Sequence, residues 1–295
     1  MKKYLLAILS LTIYICMCAG PARPGRILLT QPDGSCFYAV FAGDEFMKIK
    51  TTEAGEAVVQ DSDGWWCYAA YDAQGRKTST GCRVGENVQG RFSRADSRIP
   101  YEILSQRASE RRRRAEYARI MRTGGQMRLQ TSDASLTDKA GLVILVQFSG
   151  SNEHFRTPAQ SFVSMLTQDG YSSNGATGSA KEYFDEQFGG KYNFSFDVTD
   201  VVTLSRKRSY YGKNDPEGFD EHAHKMVMEA CELVDGKIDF SRYDQDGDGE
   251  VDNVFVFYAG LDEASGASED HIWSHAWYIK DGAEEELKLD GVLIN

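Results

Sequence analysis

Leu142-Val143-Ile144-Leu145-Val146-Gln147-Phe148 is a seven-residue run with a single polar member. A strand with one face in water alternates apolar and polar side chains, so a run of this kind needs cover on both faces. Asn253 to Gly260, with Val-Phe-Val-Phe-Tyr at its centre, repeats the signal, and Asn193 to Leu204 is also strand-like. Helical patterns lie between these strands. Thr157 is placed to cap a helix, with Pro158 in its first turn and Gln160 completing a capping box. Ser179-Ala180-Lys181-Glu182 forms a second box, and its helix ends at Gly189-Gly190. A longer helix is expected from Asp215-Pro216, with Phe219, Ala223, Met226, Val227, Ala230 and Val234 on its apolar face. Strands alternating with helices predict an α/β or mixed α+β domain.

The N-terminal third is different. Residues 1–20 have the charged start, apolar middle and small-residue end of an export signal: Lys2 and Lys3, then Leu5 to Cys18, then Ala19 and Gly20. The apolar run is shorter than the roughly 20 residues a membrane span needs, so export without a stable span is expected. A lipoprotein signal is disfavoured, because Ile15 and Met17 precede Cys16 and Cys18 where a small residue belongs. From residue 27 to 95, turn signals at Asp33-Gly34, Gly43-Asp44, Asp63-Gly64 and Gly75 separate short runs rich in aromatic and β-branched residues. This predicts a β module, and Phe37 to Phe41 is expected to be buried partly on both faces. Its four cysteine-bearing positions after the leader, shared with the rest of the chain, are Cys36, Cys67, Cys82 and Cys231. Cys67 and Cys82 flank a turn, which allows either a disulfide across a hairpin or two buried thiols.

Charge is unevenly spread. The formal net charge is −11, which argues against a nucleic-acid partner, yet residues 101–128 hold eight Arg and three Glu. Tyr101 to Arg122 contains no Pro or Gly, so it is expected to be a solvated helical linker with its arginines in water. The sharper expectation is a processing site at Arg111, Arg112, Arg113 and Arg114, since exposed basic linkers are readily cut. Gly124 to Asp138 is expected to be loop.

Asp244-Gln245-Asp246-Gly247-Asp248-Gly249-Glu250-Val251-Asp252 carries the strongest chemical signal. Calcium takes six to eight oxygens, and carboxylates at alternate positions around a glycine bend can wrap it. Asp244, Asp246 and Asp248 match the first three ligand positions of an EF-hand, the Glu250 carbonyl the next, and Asp252 the ninth. The twelfth position, normally Glu, is Phe255, so a sensor EF-hand is excluded. The plain alternative is an acidic surface turn. The five histidines suggest no zinc site: His271 and His275 are four apart but lack the intervening Glu of H-E-x-x-H, and His222 and His224 are two apart. Packed or exposed histidines are expected, His275 being the most buried.

The order of segments then becomes informative. Leu142 to Phe148, Ser179 to Phe184 with Gly189-Gly190-Lys191, Tyr210-Tyr211-Gly212, Asp239 to Gly249, and Val254 to Gly260 before Ile272-Trp273-Ser274-His275 resemble the secreted immune inhibitor A-like zinc metallopeptidases. Residues 31–82, with Gln31-Pro32-Asp33-Gly34 and Gly43-Asp44-Glu45-Phe46, resemble the prosegment of bacterial members. The resemblance implies an α+β chain with a leader at 1–20, a β-rich prosegment at 21–100, a basic helical linker at 101–138 and part of a metallopeptidase domain at 139–295. It implies a secreted zymogen that cleaves protein or peptide substrates through zinc-activated water, and a calcium site in the acidic loop. The family's H-E-x-x-H helix follows the Trp-Ser-His stretch. No such helix occurs in these residues, so its ligands and catalytic Glu map to no position here. The expectation is therefore a fragment, or a prematurely terminated product, inactive by itself. The rival expectation is a non-catalytic exported binding module stabilised by calcium.

Overall fold

The computed structural model describes residues 21–87, 93, 97–122, 137–150, 152–215, 217–279 and 286–295. The leader expected at 1–20 and nearly all of the loop expected after Gly124 lie outside them. The chain is mixed α+β.

Two small antiparallel sheets come first: β1 (Arg26–Thr30), β2 (Cys36–Asp44) and β3 (Met47–Thr52), then β4 (Val58–Gln60), β5 (Trp66–Tyr71) and β6 (Lys77–Arg83). Burial along β2 has a period of two, with Ala39 and Phe41 inward and Tyr38 out in water. The expected two-sided burial of Phe37 to Phe41 is therefore wrong. Aromatic side chains made both faces look apolar, but only one meets a core. Gly43, at φ 106°, closes the β2–β3 turn so tightly that a Cβ there would overlap the Met47 carbonyl. Cys67 and Cys82 are both buried and no disulfide links them; Cys67 lies opposite Arg83 in the ladder.

Helix α1 (Tyr101–Arg122) spans the basic stretch. It is helical and mostly exposed, as expected, but two of its arginines also have protein partners. Arg111 pairs with Glu217 and lies 3.7 Å from the Phe219 ring centre. Arg112 pairs with Asp44 and sits over Phe46. Arginine stems cover apolar rings while their heads find carboxylates, so charge density alone misjudged this face. Arg113 and Arg114 remain exposed.

The second half is built on β7 (Thr137–Phe148), which pairs in parallel with β8 (Tyr192–Leu204) on one side and β9 (Val254–Tyr258) on the other. Between β7 and β8 run α2 (Ala159–Thr167) and α3 (Ala180–Gln187); between β8 and β9 run α4 (Arg208–Gly212) and α5 (Ala223–Val234). The hairpin β10 (Leu287–Leu289) and β11 (Val292–Ile294) follows. Alternate residues of β7 serve opposite cores, as its continuous apolar run requires. Leu142, Ile144, Val146 and Phe148 pack with α5 residues Met226, Ala230, Cys231 and Val234. Val143 and Leu145 face Leu166 and Phe162 of α2 and the rings of Phe196 and Phe257. Each such side chain contributes about 1.5–3 kcal/mol through burial.

The capping box at Ser179 is present: its hydroxyl accepts from Glu182 N at 3.3 Å, and Glu182 Oε2 accepts from Ser179 N at 2.8 Å. The box expected at Thr157 is not. Pro158 precedes α2, with no side-chain cap. The long helix begins at Ala223 rather than near residue 215. Asp215 instead holds a tight turn, its carboxylate accepting from Glu217 N and Phe219 N. An Asx turn satisfies the same backbone donors that a helix start would, so the residue types do not separate the two.

Candidate functional site

The N-terminal sheets do not stand apart from the second half. Ile27, Leu29, Ala39, Phe41, Val58 and Trp66 share one core with Ala264 and Trp273, and the Trp273 side chain is fully buried there. Arg23 N donates to the Ala264 carbonyl at 2.9 Å.

Beside this apolar seam lies a buried charge network. Lys48 Nζ donates to Asp220 Oδ1 at 2.9 Å, Glu263 Oε2 at 3.0 Å and Asn214 Oδ1 at 3.1 Å. Lys50 Nζ, with no exposed side-chain surface, donates to Glu263 Oε1 at 2.5 Å and Glu269 Oε1 at 3.0 Å. Lys77 adds a bond to Glu269 at 2.9 Å. Burial alone would push the Lys50 ammonium down, but Glu263 and Glu269 outweigh it and hold its pKa up. Burial likewise opposes the charged form of Glu269, yet Lys50 and Lys77 bring it down to about 2. Asp220 goes the other way: burial pushes it up to about 7, with Glu263 adding repulsion that Lys48 only partly offsets. Sequence reasoning missed the network. Lys48 and Lys50 alternate with Ile49, which resembles the wet face of an edge strand, and their partners lie more than 160 residues away. Three carboxylates spread over Asp220, Glu263 and Glu269 have no local spacing to notice.

Next to the network is a cleft of about 460 Å³ whose walls include Glu45, Arg111, Arg114, Asp220, His224 and Trp277. Glu45, on the β2–β3 turn, is 2% exposed, and its Oε2 has no hydrogen-bond partner. Burial raises its pKa. The His275 ring packs against Trp277 at a tilt of 35°, and its Nδ1 lies 2.6 Å from the Trp273 carbonyl. Burial drives His275 down to about 4, so it is neutral at physiological pH. His271 is also lowered to about 4 by burial. His222 caps no metal pair with His224: its ring stacks on Tyr210, and the two imidazole centres are 6.4 Å apart.

The acidic loop does bring Asp244, Asp246 and Asp248 together, with one oxygen from each within 4.8 Å of the others. Left-handed Gly247 and Gly249 make the bend, and Asp244 accepts from the amides of Gly247, Asp248 and Gly249. Asp252 folds back onto the loop and accepts from Gln245 N at 3.1 Å, and the Glu250 side chain accepts from Asn295. Among the described residues this trio is the single group of three or more His, Cys, Asp or Glu side chains positioned to share an ion. All its donors are hard carboxylate oxygens, which suit calcium; zinc prefers imidazole and thiolate nitrogen and sulfur. The described residues therefore do not form a zinc centre. No helix among them is long and apolar enough to cross a membrane.

Comparison with known proteins adds the family. The profile "Immune inhibitor A peptidase M6, catalytic domain" matches residues 130–291. An immune inhibitor A from Bacillus thuringiensis subsp. alesti is 32% identical over 120 residues, covering 34% of this chain. The chain matches 18% of that relative's length. With the matched stretch running from before β7 to the turn between β10 and β11, over half of the sequence, this chain belongs to the immune inhibitor A (M6) peptidase family.

Proposed function

We propose that these residues are the N-terminal portion of a secreted, zinc-dependent endopeptidase precursor: a prosegment at 21–100, a basic linker at 101–138, and the supporting sheet of the catalytic domain from 139. The observation that carries the reading is the family match over 130–291. Latency is supported by the packing of the N-terminal sheets onto the domain, with Glu45 buried in the wall of the cleft. Protein substrates and export follow from the same family reading. The zinc ligands are not among these residues, so no catalytic step is assigned to them. The 295 residues alone are expected to leave a protein substrate uncut with or without added zinc. Chelator-sensitive, zinc-dependent turnover by this polypeptide would overturn that expectation and point back to His222, His224, His271 and His275.

We also propose that Asp244, Asp246 and Asp248 bind calcium, with the Glu250 carbonyl and Asp252 as further ligands once the loop closes. Their convergence supports this, since three carboxylates so close repel one another unless a cation lies between them. An ion that binds the folded state alone stabilises it by about 2.7 kcal/mol at a hundredfold excess over Kd. Calcium is thus expected to raise the melting temperature, magnesium to do less, and Asp246→Ala to remove most of the shift. Asp246 is a suitable probe because its one bond within the loop is the 3.2 Å contact to Asp248 N. Equal melting temperatures with calcium and with chelator would leave an acidic turn.

We place the processing site within Arg111 to Arg114, of which Arg112, Arg113 and Arg114 are exposed. A protease needs an extended strand, so cutting there requires α1 to open locally.

A further inference from the structure

The carboxylates of Asp220, Glu263 and Glu269 form a receptor for paired lysines of a β-strand, and the strand that fills it belongs to residues 21–84. We propose that this docking site holds the N-terminal layer on the catalytic domain after the linker is cut, so that cleavage yields a two-piece noncovalent complex instead of a released prosegment. The proposal rests on the prosegment reading only in making the cut a physiological event; the complex itself is a matter of the interface.

Separation of the two layers would expose buried charge. Lys50 and Glu263 have no exposed side-chain surface, and Asp220 is within a few per cent of none. Pulling the layers apart would leave three carboxylates close together on one side, with Asn214, the Trp273 amide and, at 3.6 Å, the His275 ring as their neighbours. On the other side it would leave the ammoniums of Lys48 and Lys50, at alternate positions of β3, and that of Lys77 on β6. A buried ion pair is poor evidence for stability when both partners can be replaced, but removing one partner is strongly destabilising. Cleavage of a linker does not change that balance. It adds only the entropy of a freed chain end, and the closure term it removes varies slowly with loop length. The apolar seam acts in the same direction: Trp273 and Ala264 would lose contact with Phe41, Trp66 and Ile27. Gly266 lets its segment pass so near Ile27 that a Cβ would sit 2.5 Å from its Cγ2, which marks a fitted surface. Because the ions are enclosed, added salt should screen them poorly, unlike the exposed pair of Arg26 with Glu53.

The experiment uses the full chain with a recognition sequence for a site-specific protease introduced at Gly124-Gly125. After complete cutting, shown by two bands under denaturing conditions, the sample is run by gel filtration in about 0.1 M and about 1 M sodium chloride, the higher salt leaving a Debye length of only about 3 Å. The expected result is co-elution of both pieces at both salt concentrations. Lys50→Met should release the N-terminal piece on cutting. Should that variant fail to fold, Lys48→Met replaces it, since Asp220 can take up a proton when its ammonium partner is gone. Lys48→Met is expected to weaken retention at least tenfold, and Arg26→Ala to leave it unchanged. Elution of the wild-type pieces as separate, folded species overturns the proposal. Full retention by Lys48→Met overturns the assignment of the holding force to the lysine receptor. Retention together with an active peptidase in a longer form would disprove latency and leave the docking intact, so the two readings fail separately.

Discussion

Lys50→Met is expected to cost 3–5 kcal/mol of stability or to abolish folding, about the amount lost when one partner is taken from a buried ionic network. The methionine fills similar volume between Phe41 and Trp66, whose ring centres lie 5.3 and 5.5 Å from the ammonium, so packing is largely preserved. What is lost is the charge that Glu263 and Glu269 need. Thermal melting of the purified variant checks this, and a loss under 1 kcal/mol would show that water or another cation already satisfies the carboxylates. The same network gives a pH dependence. Glu269 has a folded pKa of about 2, below its ordinary value of 4.5. Its contribution is therefore fully present above about pH 4.5 and is lost as the pH falls from there towards 2. Asp220 has the opposite sign, since its raised pKa favours the protonated folded form and contributes most below its ordinary value. Lys50→Met should flatten the acid limb that Glu269 produces.

Trp273→Ala is expected to cost a further 3–5 kcal/mol by the separate route of cavity formation. Trp273 is fully buried between Ala264 of its own half and the sheet residues Phe41 and Trp66, and Lys48 lies 5.3 Å from its ring centre. Truncation would empty the seam and leave Lys48 facing a void. Denaturant titration is the measurement, with an unchanged slope and a lower midpoint as the expected signature. A loss similar to that of an exposed position such as Leu261 would mean that the two halves are not joined through this side chain.

How legible these features were depends on how local their causes are. The two-sided burial of β7 is written into consecutive residues, because each side chain from Leu142 to Val146 has to be apolar whichever way it points. The capping box of Ser179 and Glu182 spans four residues, and the acidic trio spans five; both were readable for that reason. Asp215 misled because an Asx turn and a helix start draw on the same residue types. Asp252, placed by spacing in the calcium set, accepts from Gln245 N within the loop, while the Glu250 side chain, distinct from the carbonyl placed in that set, accepts from Asn295. The partners of Arg111 and Arg112 were hidden because Glu217 and Asp44 lie far from them in sequence. The lysine receptor was invisible for the most basic reason. A charged residue on a strand signals water unless its counter-charge is known, and here that counter-charge is set by tertiary structure alone.

The sheet around β7 is proposed to support a zinc endopeptidase. Reading the native coding sequence onward from Asn295 and assaying the resulting protein tests it most directly. The prediction is an H-E-x-x-H helix in frame and cleavage of a protein substrate that chelation abolishes and zinc restores. An onward sequence with no such helix, or a folded protein that binds no zinc and cuts nothing after removal of residues 21–100, would contradict the claim and favour the calcium-stabilised binding module.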